Sequence, residues 1–359
     1  MPPSPRPRAA VIGGGICGLA SAIALRGRGW DVIVFEETAS VVVGAGITLW
    51  ANGLAALDAI GVGDAVRAAG NDLTQVRILD HTGRELLRQT SEPGSIVALH
   101  RRDLTAALLA ALPSGVVTTR TPASIVDPER GIVEAAETTA RYDLVVAADG
   151  VHSRTRLRWW PSAGERDCGI RAWRAVVPGA AEEAVTVWGP SGECGILPLP
   201  DDTTYVFGAS RGRAREAGVA YFYEWVEPVP SLLRAMASPA VHDLTDVDPV
   251  RHPVRGRTVL LGDAAHAMRP HLGQGAGLSL EDAVVLAAHC SPSGFDGDGF
   301  VRARRRRWAT TAWLARRATT LMMPPNRVVA TAQRVVSTVP DRAMRGVVDR
   351  LARWRPPSS

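Results

Sequence analysis

The chain contains no lysine. Its 41 Lys-plus-Arg residues are all arginine, which points to a compositional bias rather than to a code for binding a polyanion. Cysteine is nearly as scarce: Cys17, Cys168, Cys194 and Cys290 are too scattered for a zinc pattern or a disulfide framework, so they read as reduced thiols and no metal site is visible. No segment approaches the roughly 20 uninterrupted apolar residues of a membrane span. The opening Met1 to Arg8 leads into no apolar leader core with a cleavage site. These absences give the expectation of a cytoplasmic protein without an integral membrane segment. Disorder is not the default either, because 46% of the residues are hydrophobic and 21% charged. A length of 359 residues leaves room for about two domains, each with its own core.

Positive charge is concentrated at the C-terminal end. From Phe300 onward there are 14 arginines against only Asp341 and Asp349, so the remainder of the chain is net negative. A basic run of this kind suits nucleic acid or an anionic membrane. Here Val301, Trp308 and Ala315 recur every seventh residue among strong helix formers, so the arginines are expected to form the solvated side of a helix from Val301 to Met323. Nucleic acid is therefore not an expected partner.

The most informative stretch runs from Ala9-Ala10-Val11-Ile12 through Gly13-Gly14-Gly15-Ile16-Cys17-Gly18 and a helical segment to Asp31-Val32-Ile33-Val34-Phe35-Glu36. This is strand, tight glycine turn, helix, strand. Gly13 permits the sharp turn, Gly15 lets the backbone approach a diphosphate, and Gly18 lets the helix pack closely on the sheet. The diphosphate then meets unpaired N–H groups at a helix N-terminus. Glu36 has the spacing of a carboxylate that accepts hydrogen bonds from adenosine ribose hydroxyls. An ADP-containing cofactor follows, although this turn alone does not separate NAD from FAD. No second strand–GxGxxG–helix unit occurs, since Gly273-Gln274-Gly275-Ala276-Gly277 lacks the third glycine at the required spacing. That absence argues for one tightly held dinucleotide.

Further along, Leu73 to Leu79 and Glu85 to Arg88 read as a hairpin, and His100 to Leu104 opens a helix running to Leu112. Tyr142 to Ala148 is a nearly continuous apolar strand closed by Asp149-Gly150. Strands such as Ala184 to Trp188 and Thr204 to Phe207 dominate from Arg171 to Arg255, with one helix expected near Tyr221 to Met236. Thr258 to Leu261 then enters Gly262-Asp263.

Taken together, the glycine turn, Asp149-Gly150-Val151-His152-Ser153-Arg154-Thr155-Arg156, Gly262-Asp263-Ala264-Ala265-His266 and Pro270-His271-Leu272-Gly273-Gln274-Gly275 resemble the class A (group A) FAD-dependent flavoprotein monooxygenases, the aromatic hydroxylase family. The resemblance covers about the first 290 residues. It implies an α/β protein in which a Rossmann-like FAD-binding domain is interleaved with a mainly antiparallel β-sheet substrate domain, followed by C-terminal helices. The corresponding boundaries are 1–72, 99–167 and 257–295 for the FAD-binding domain, 73–98 and 168–256 for the substrate domain, and 296–359 for the helical tail.

The resemblance also implies roles. Asp263 would bond the ribityl chain or the nearby pyrophosphate. Arg101 would contact the ribityl–phosphate portion, with Arg102 as its competitor. Thr48 would lie beside the cofactor, and Asp149 with Gly150 would shape its pyrophosphate side. Pro270 and the loop Gly273, Gln274, Gly275, Ala276 and Gly277 would aim backbone N–H groups at the flavin edge where charge accumulates on reduction. Trp173, Trp188, Cys194 and Tyr205 are expected pocket-wall residues. His271 is expected to border the isoalloxazine, either deprotonating a phenol or bonding a carbonyl. His266, Glu281 and Asp282 read as structural partners.

The implied activity is a monooxygenase driven by NADH or NADPH. It would insert one atom of O2 into a small aromatic substrate through a flavin C4a-hydroperoxide, acting as a monomer or homodimer. Two departures stand out. Glu37 occupies a position that is often basic in relatives, adding negative charge near the adenosine, and the thioredoxin-like extra domain of the longer phenol hydroxylases is not expected. A FAD-dependent reductase of the geranylgeranyl-reductase type, an epoxidase or Baeyer–Villiger oxygenase, and a non-enzymatic FAD-fold carrier remain as alternatives. A halogenase is disfavoured because no Trp-x-Trp-x-Ile-Pro sequence occurs.

Overall fold

The computed structural model describes residues 6–40, 45–325, 328, 331 and 351–357. Beyond Pro325 the C-terminal tail therefore lies largely outside the described residues.

The strand Arg8–Ile12 lies at the centre of a six-stranded sheet ordered Val254–Arg255, Thr258–Leu260, Leu144–Ala147, Arg8–Ile12, Asp31–Phe35 and Val117–Thr118. All neighbours are parallel except the first pair. Leu144 to Ala147 are completely buried, as a run apolar on both faces requires. Alternation then sorts the side chains. Ala9, Val11, Leu144 and Val146 pack toward the helices Ile16–Gly27 and Gly275–Ala288. Ala10, Ile12, Val145 and Ala147 pack on a small antiparallel sheet carrying Ile125, Val133 and Ala135.

A second, seven-stranded sheet is ordered Ala240–Val247, Glu165–Pro178, Thr203–Arg211, Gly192–Leu199, Ala184–Gly189, Gln75–Asp80 and Glu85–Thr90. It is antiparallel except where Ala184–Gly189 runs beside Gln75–Asp80. The hairpin, early in sequence, is thus the far edge of a sheet whose other strands come much later. Gly46–Trp50, Ile96–His100 and Asn71–Asp72 form a third sheet at the junction.

The helix expected near Tyr221 to Met236 is broken into Arg213–Ala217, a 3-10 turn Gly218–Phe222 and Val229–Arg234. Pro228 and Pro230 explain the interruption, because proline removes a backbone donor and clashes with the preceding turn.

The C-terminal helix Gly297–Met322 buries Phe300, Arg304, Trp308, Thr311, Ala312, Ala315 and Thr319 along one face. Here the reading of its arginines needs correction. Arg302, Arg305, Arg306 and Arg317 are exposed, but Arg304 is 1% exposed and bridges Glu281 and Asp282 at 2.8 and 2.7 Å. Arg307 also holds Glu281, and Arg316 reaches Asp246 and Asp248. Helical period alone cannot reveal that carboxylates wait on the facing elements.

Candidate active site

The C-terminal ends of the four central strands align, with Ile12 beside Phe35 and Ala147, and Ala147 beside Leu260. The glycine turn, Asp149-Gly150 and Gly262-Asp263 leave the sheet at that edge, where ligands bind open parallel sheets. Gly13 sits at φ +101°, and a Cβ there would lie 2.4 Å from the Ala148 carbonyl oxygen. On Gly18 it would lie 1.9 Å from the Gly13 oxygen. Around Gly15, by contrast, no atom lies within 4 Å of such a Cβ. Two glycines are therefore required by packing, and the third faces open space. Glu36 braces the turn by accepting from Gly14 N–H at 2.7 Å and from Thr38 N–H and Oγ1 at 2.8 and 2.6 Å. The charge of Glu37 is matched by an ion pair with Arg154, so the expected excess of negative charge beside Glu36 is compensated.

Asp149 turns inward. Its carboxylate accepts from Ser153 Oγ at 2.6 Å and Thr155 N–H at 3.0 Å, capping the helix Arg154–Trp159. Arg156 is fully buried and donates to the carbonyls of Ala163, Val151 and Ala264 and to Glu165. The bond to Ala264 ties the second motif to the third. Gly262, at φ +57°, admits no side chain, since a Cβ would lie 2.9 Å from Cys17 Sγ and 3.0 Å from Ser279 Oγ. It thereby locks the starts of the helices Ile16–Gly27 and Gly275–Ala288 side by side. Asp263 begins the next short helix with its side chain exposed.

Pro270–Leu272 forms a 3-10 turn ending at left-handed Gly273. Gly273 and Gly277 are pressed against the strand Gly46–Trp50 and the helix that follows it. Added Cβ atoms would lie 2.9 Å from Trp50 Nε1 and 2.9 Å from Asn52 Nδ2, with Thr48 Oγ1 3.4 Å from the first. Gly275 faces open space, as do Gly15 and Gly150. Gln274 Oε1, Trp50 Nε1 and Asn52 Oδ1 are buried here without a partner. Buried polar atoms rarely stay unpaired, so these fit a site that receives a polar ligand. Arg101 starts the helix Arg101–Ala110 with its side chain exposed, whereas Arg102 approaches Asp103 and Asp201. Arg101 is thus the freer of the two.

Behind the loop lies a buried ionic network that the sequence reading described only as structural partners. Asp282 accepts from His266 Nε2 at 2.5 Å, Arg304 Nε and Trp308 Nε1 at 2.7 Å, and Gly262 N–H at 3.2 Å. Glu281 accepts from Asn52 Nδ2 and Arg307 at 2.7 Å. Burial opposes ionisation of Asp282, yet His266 and Arg304 hold its carboxyl below the usual range. The available signal was a charged pair inside a helix otherwise made of Leu278, Leu280, Val284 and Val285.

The large sheet divides the expected wall residues. Trp173, Gly208, Cys194 and Val187 are successive cross-strand partners and share one face. Trp173 and Cys194 pack in a cluster with Phe222, whose ring lies 6.3 Å from the Trp173 ring. Glu193, one residue from Cys194, belongs to the opposite face and meets His271 Nε2 at 3.5 Å. Trp173 and Cys194 therefore do not share the face that meets the loop. Tyr205 does: its ring covers Gly46, where a Cβ would lie 2.3 Å from it. Trp188 pairs with Glu193 and packs near Leu321 and Met322.

The His271 ring is completely buried, with Nδ1 3.2 Å from Thr319 Oγ1. Burial, with Arg269, Arg211 and Arg174 nearby, pushes its pKa down to about 3. Burial therefore favours a neutral ring at this position.

The sheet edge, the two helix N-termini and the open glycines have the architecture of a dinucleotide-binding fold. The sequence profile described as FAD binding domain matches residues 7–167 and 243–290. Aurachin C monooxygenase/isomerase of Stigmatella aurantiaca is 33% identical over 77% of this chain and 79% of its own length. The 2-heptyl-3-hydroxy-4(1H)-quinolone synthase of Pseudomonas aeruginosa is 33% identical over 77% and 78%. The crystal structure of Klebsiella pneumoniae HpxO complexed with FAD and uric acid superimposes with a TM-score of 0.84 at 24% identity, covering 96% of each chain. The chain belongs to the group A flavoprotein monooxygenases and is a FAD-dependent monooxygenase. The reductase and carrier alternatives are thereby set aside. Among the described residues no helix is long and apolar enough to cross a membrane.

Proposed function

We propose that this enzyme uses NADH or NADPH and O2 to place one oxygen atom on a small nitrogen-containing aromatic compound. The observation that carries this reading is the strip through Gly15, Gly150 and Gly275, where nothing lies within 4 Å of an added Cβ. Gly15 and Gly150 follow the C-terminal ends of two central strands, and Gly275 begins the helix packed beside them. When bound, FAD would supply the electrons that activate O2, the source of the inserted oxygen atom.

The protein's own residues bind, orient and exclude water. Gly13 and Gly18 shape the turn, Gly15 admits the diphosphate, and Glu36 receives the adenosine ribose. Asp149 and Gly150 frame the pyrophosphate side. Gly262 closes the helix pair, while Asp263, Arg101 and Thr48 serve the ribityl portion. Pro270, Gly273, Gln274, Gly275, Ala276 and Gly277 border the ring, with backbone donors at the helix start. Tyr205 and Trp188 belong to the roof, which keeps water from the reacting oxygen.

On this reading residues 1–72, 99–167 and 257–295 form the FAD-binding unit, and 73–98 with 168–256 the substrate unit. The enzyme acts in the cytoplasm as a monomer or homodimer. The choice of a nitrogen heteroaromatic is supported by relatives named for quinolone, urate and 6-hydroxynicotinate chemistry.

A panel of 4-quinolones, hydroxypyridines, purines and simple phenols, assayed for NAD(P)H oxidation with product identification under labelled oxygen, tests the proposal. Labelled product from a nitrogen heterocycle is expected. Oxidation without labelled product, or turnover confined to phenols, would overturn the substrate class. The product structure also separates hydroxylation from epoxidation or Baeyer–Villiger insertion.

A further inference from the structure

Glu193 is a carboxyl in the interior of the large sheet, 3% exposed, and among the described residues no arginine forms an ion pair with it. Among the described residues it meets His271 Nε2, at 3.5 Å. The proton positions on that imidazole follow from the far side of the ring. Thr319 Oγ1 donates its hydrogen to the Ala315 carbonyl at 2.9 Å, so toward His271 Nδ1, at 3.2 Å, it can only accept. Nδ1 therefore carries the hydrogen, and Nε2 presents a lone pair to Glu193. A carboxylate would repel that lone pair, whereas a carboxylic acid would donate to it.

The other charged groups around the pair are Arg174 and Arg211 on neighbouring strands and Arg269 in the loop; Trp188 is directly opposite Glu193. Three cations disfavour an imidazolium. Burial, opposed only by Arg174, raises the Glu193 carboxyl to about 8.

We propose that Glu193, as the neutral acid, donates to His271 and acts with Thr319 as a positioning strut that seats the Pro270–Gly277 loop against bound FAD. The strut joins three elements: the large sheet, the loop and the long C-terminal helix. It rests on the reading that this loop borders the flavin. A separation of 3.5 Å is long for such a bond, and seating the loop on the cofactor closes it. Closure raises the carboxyl's pKa further, so by linkage FAD affinity falls as pH rises above about 8, tenfold for each unit of additional shift.

The test measures FAD dissociation constants, by fluorescence of the free dinucleotide, from pH 6.5 to about 9.5 for the full chain and two variants. Glu193→Gln keeps a neutral donor to Nε2. It should bind FAD like the parent at neutral pH and lose the alkaline decline. Glu193→Ala should bind about tenfold more weakly at neutral pH, the scale of one buried hydrogen bond with its unmet partner. If Glu193→Gln binds as poorly as Glu193→Ala, or if parent and Glu193→Gln share one pH profile, the strut is refuted. If the parent itself binds no FAD, the cofactor reading fails instead.

Discussion

The sharpest test of the cofactor strip sets Gly15→Ala against Gly18→Ala. Both add one methyl group within the same turn, only three residues apart. At Gly18 the new carbon would lie 1.9 Å from the Gly13 carbonyl oxygen and 3.2 Å from a Val11 methyl. Both neighbours belong to the central strand and its turn, so the helix Ile16–Gly27 must move by more than an ångström. Forcing extra volume into a packed core costs about 1–3 kcal/mol, and a backbone obstacle puts this site at the upper end. At Gly15 the backbone has φ −72° and ψ −178°, which any residue adopts, and nothing lies within 4 Å. The unfolded chain loses freedom there, so the apoprotein should gain about 0.4–1 kcal/mol. The same methyl occupies the face assigned to the diphosphate, so FAD affinity should fall at least tenfold, about 1.4 kcal/mol. Thermal melting of the apoproteins and fluorescence titration with FAD separate the two effects. If Gly15→Ala binds FAD as tightly as the parent, the diphosphate does not cross Gly15 and the assignment of the turn is wrong. If Gly18→Ala melts at the parent temperature, the packing argument fails.

Arg304→Leu should destabilise the protein by about 3–5 kcal/mol in equilibrium urea unfolding, because it strands two buried carboxylates; Arg305→Leu, on the exposed side, should stay within about 0.5 kcal/mol. Asp246 is 2% exposed, and burial works against its ionisation, but hydrogen bonds from Arg166 and Arg316 hold its carboxyl below the ordinary value. Its stabilisation is therefore present above the unfolded-state pKa near 4 and lost as pH falls through the lower folded value. Denaturation midpoints of the parent and Asp246→Asn should converge between about pH 4 and pH 2, and parallel curves would contradict this. Cys194→Ala should cost about 1 kcal/mol by opening a small cavity against Phe222 while leaving product distribution unchanged; Tyr205→Ala should alter KM and coupling. A changed product from Cys194→Ala would place the pocket on the other face of the sheet.

Local motifs made the glycine turn at the strand edge legible. Gly13, Gly15, Gly18 and Glu36 carry their geometry in spacing alone, since one turn fixes all four. Asp149 and Gly262 were equally visible, yet spacing could not show that Asp149 spends its carboxylate on Ser153 and Thr155, or that Arg156 links the second motif to the third. The roof was the hardest part to read. Trp173 and Cys194 are apolar strand residues like Tyr205, and the choice of face depends on the register of each strand and on what covers it. Neither is encoded within the strand. Glu193 was hidden for the same reason: one residue of register separates it from Cys194, and its partner lies nearly 80 positions later.

The ionic network explains how so dispersed a site is assembled. Burying Glu281, Asp282 and Arg304 costs desolvation that an apolar cluster would avoid, so net stability is a weak reason for their presence. Direction is a better one. Asp282 contacts the Gly262 amide, His266, Arg304 and Trp308 together, and so fixes the third motif, the helix that begins at Gly275 and the long C-terminal helix in a single arrangement. Apolar contacts are not directional and would let these elements slide past one another. Gly262 tolerates no such slide, because its backbone is wedged between Cys17 and Ser279. The charges therefore act where the two helix starts need to remain level, and the last long helix of the described chain is tied to both the third motif and the loop.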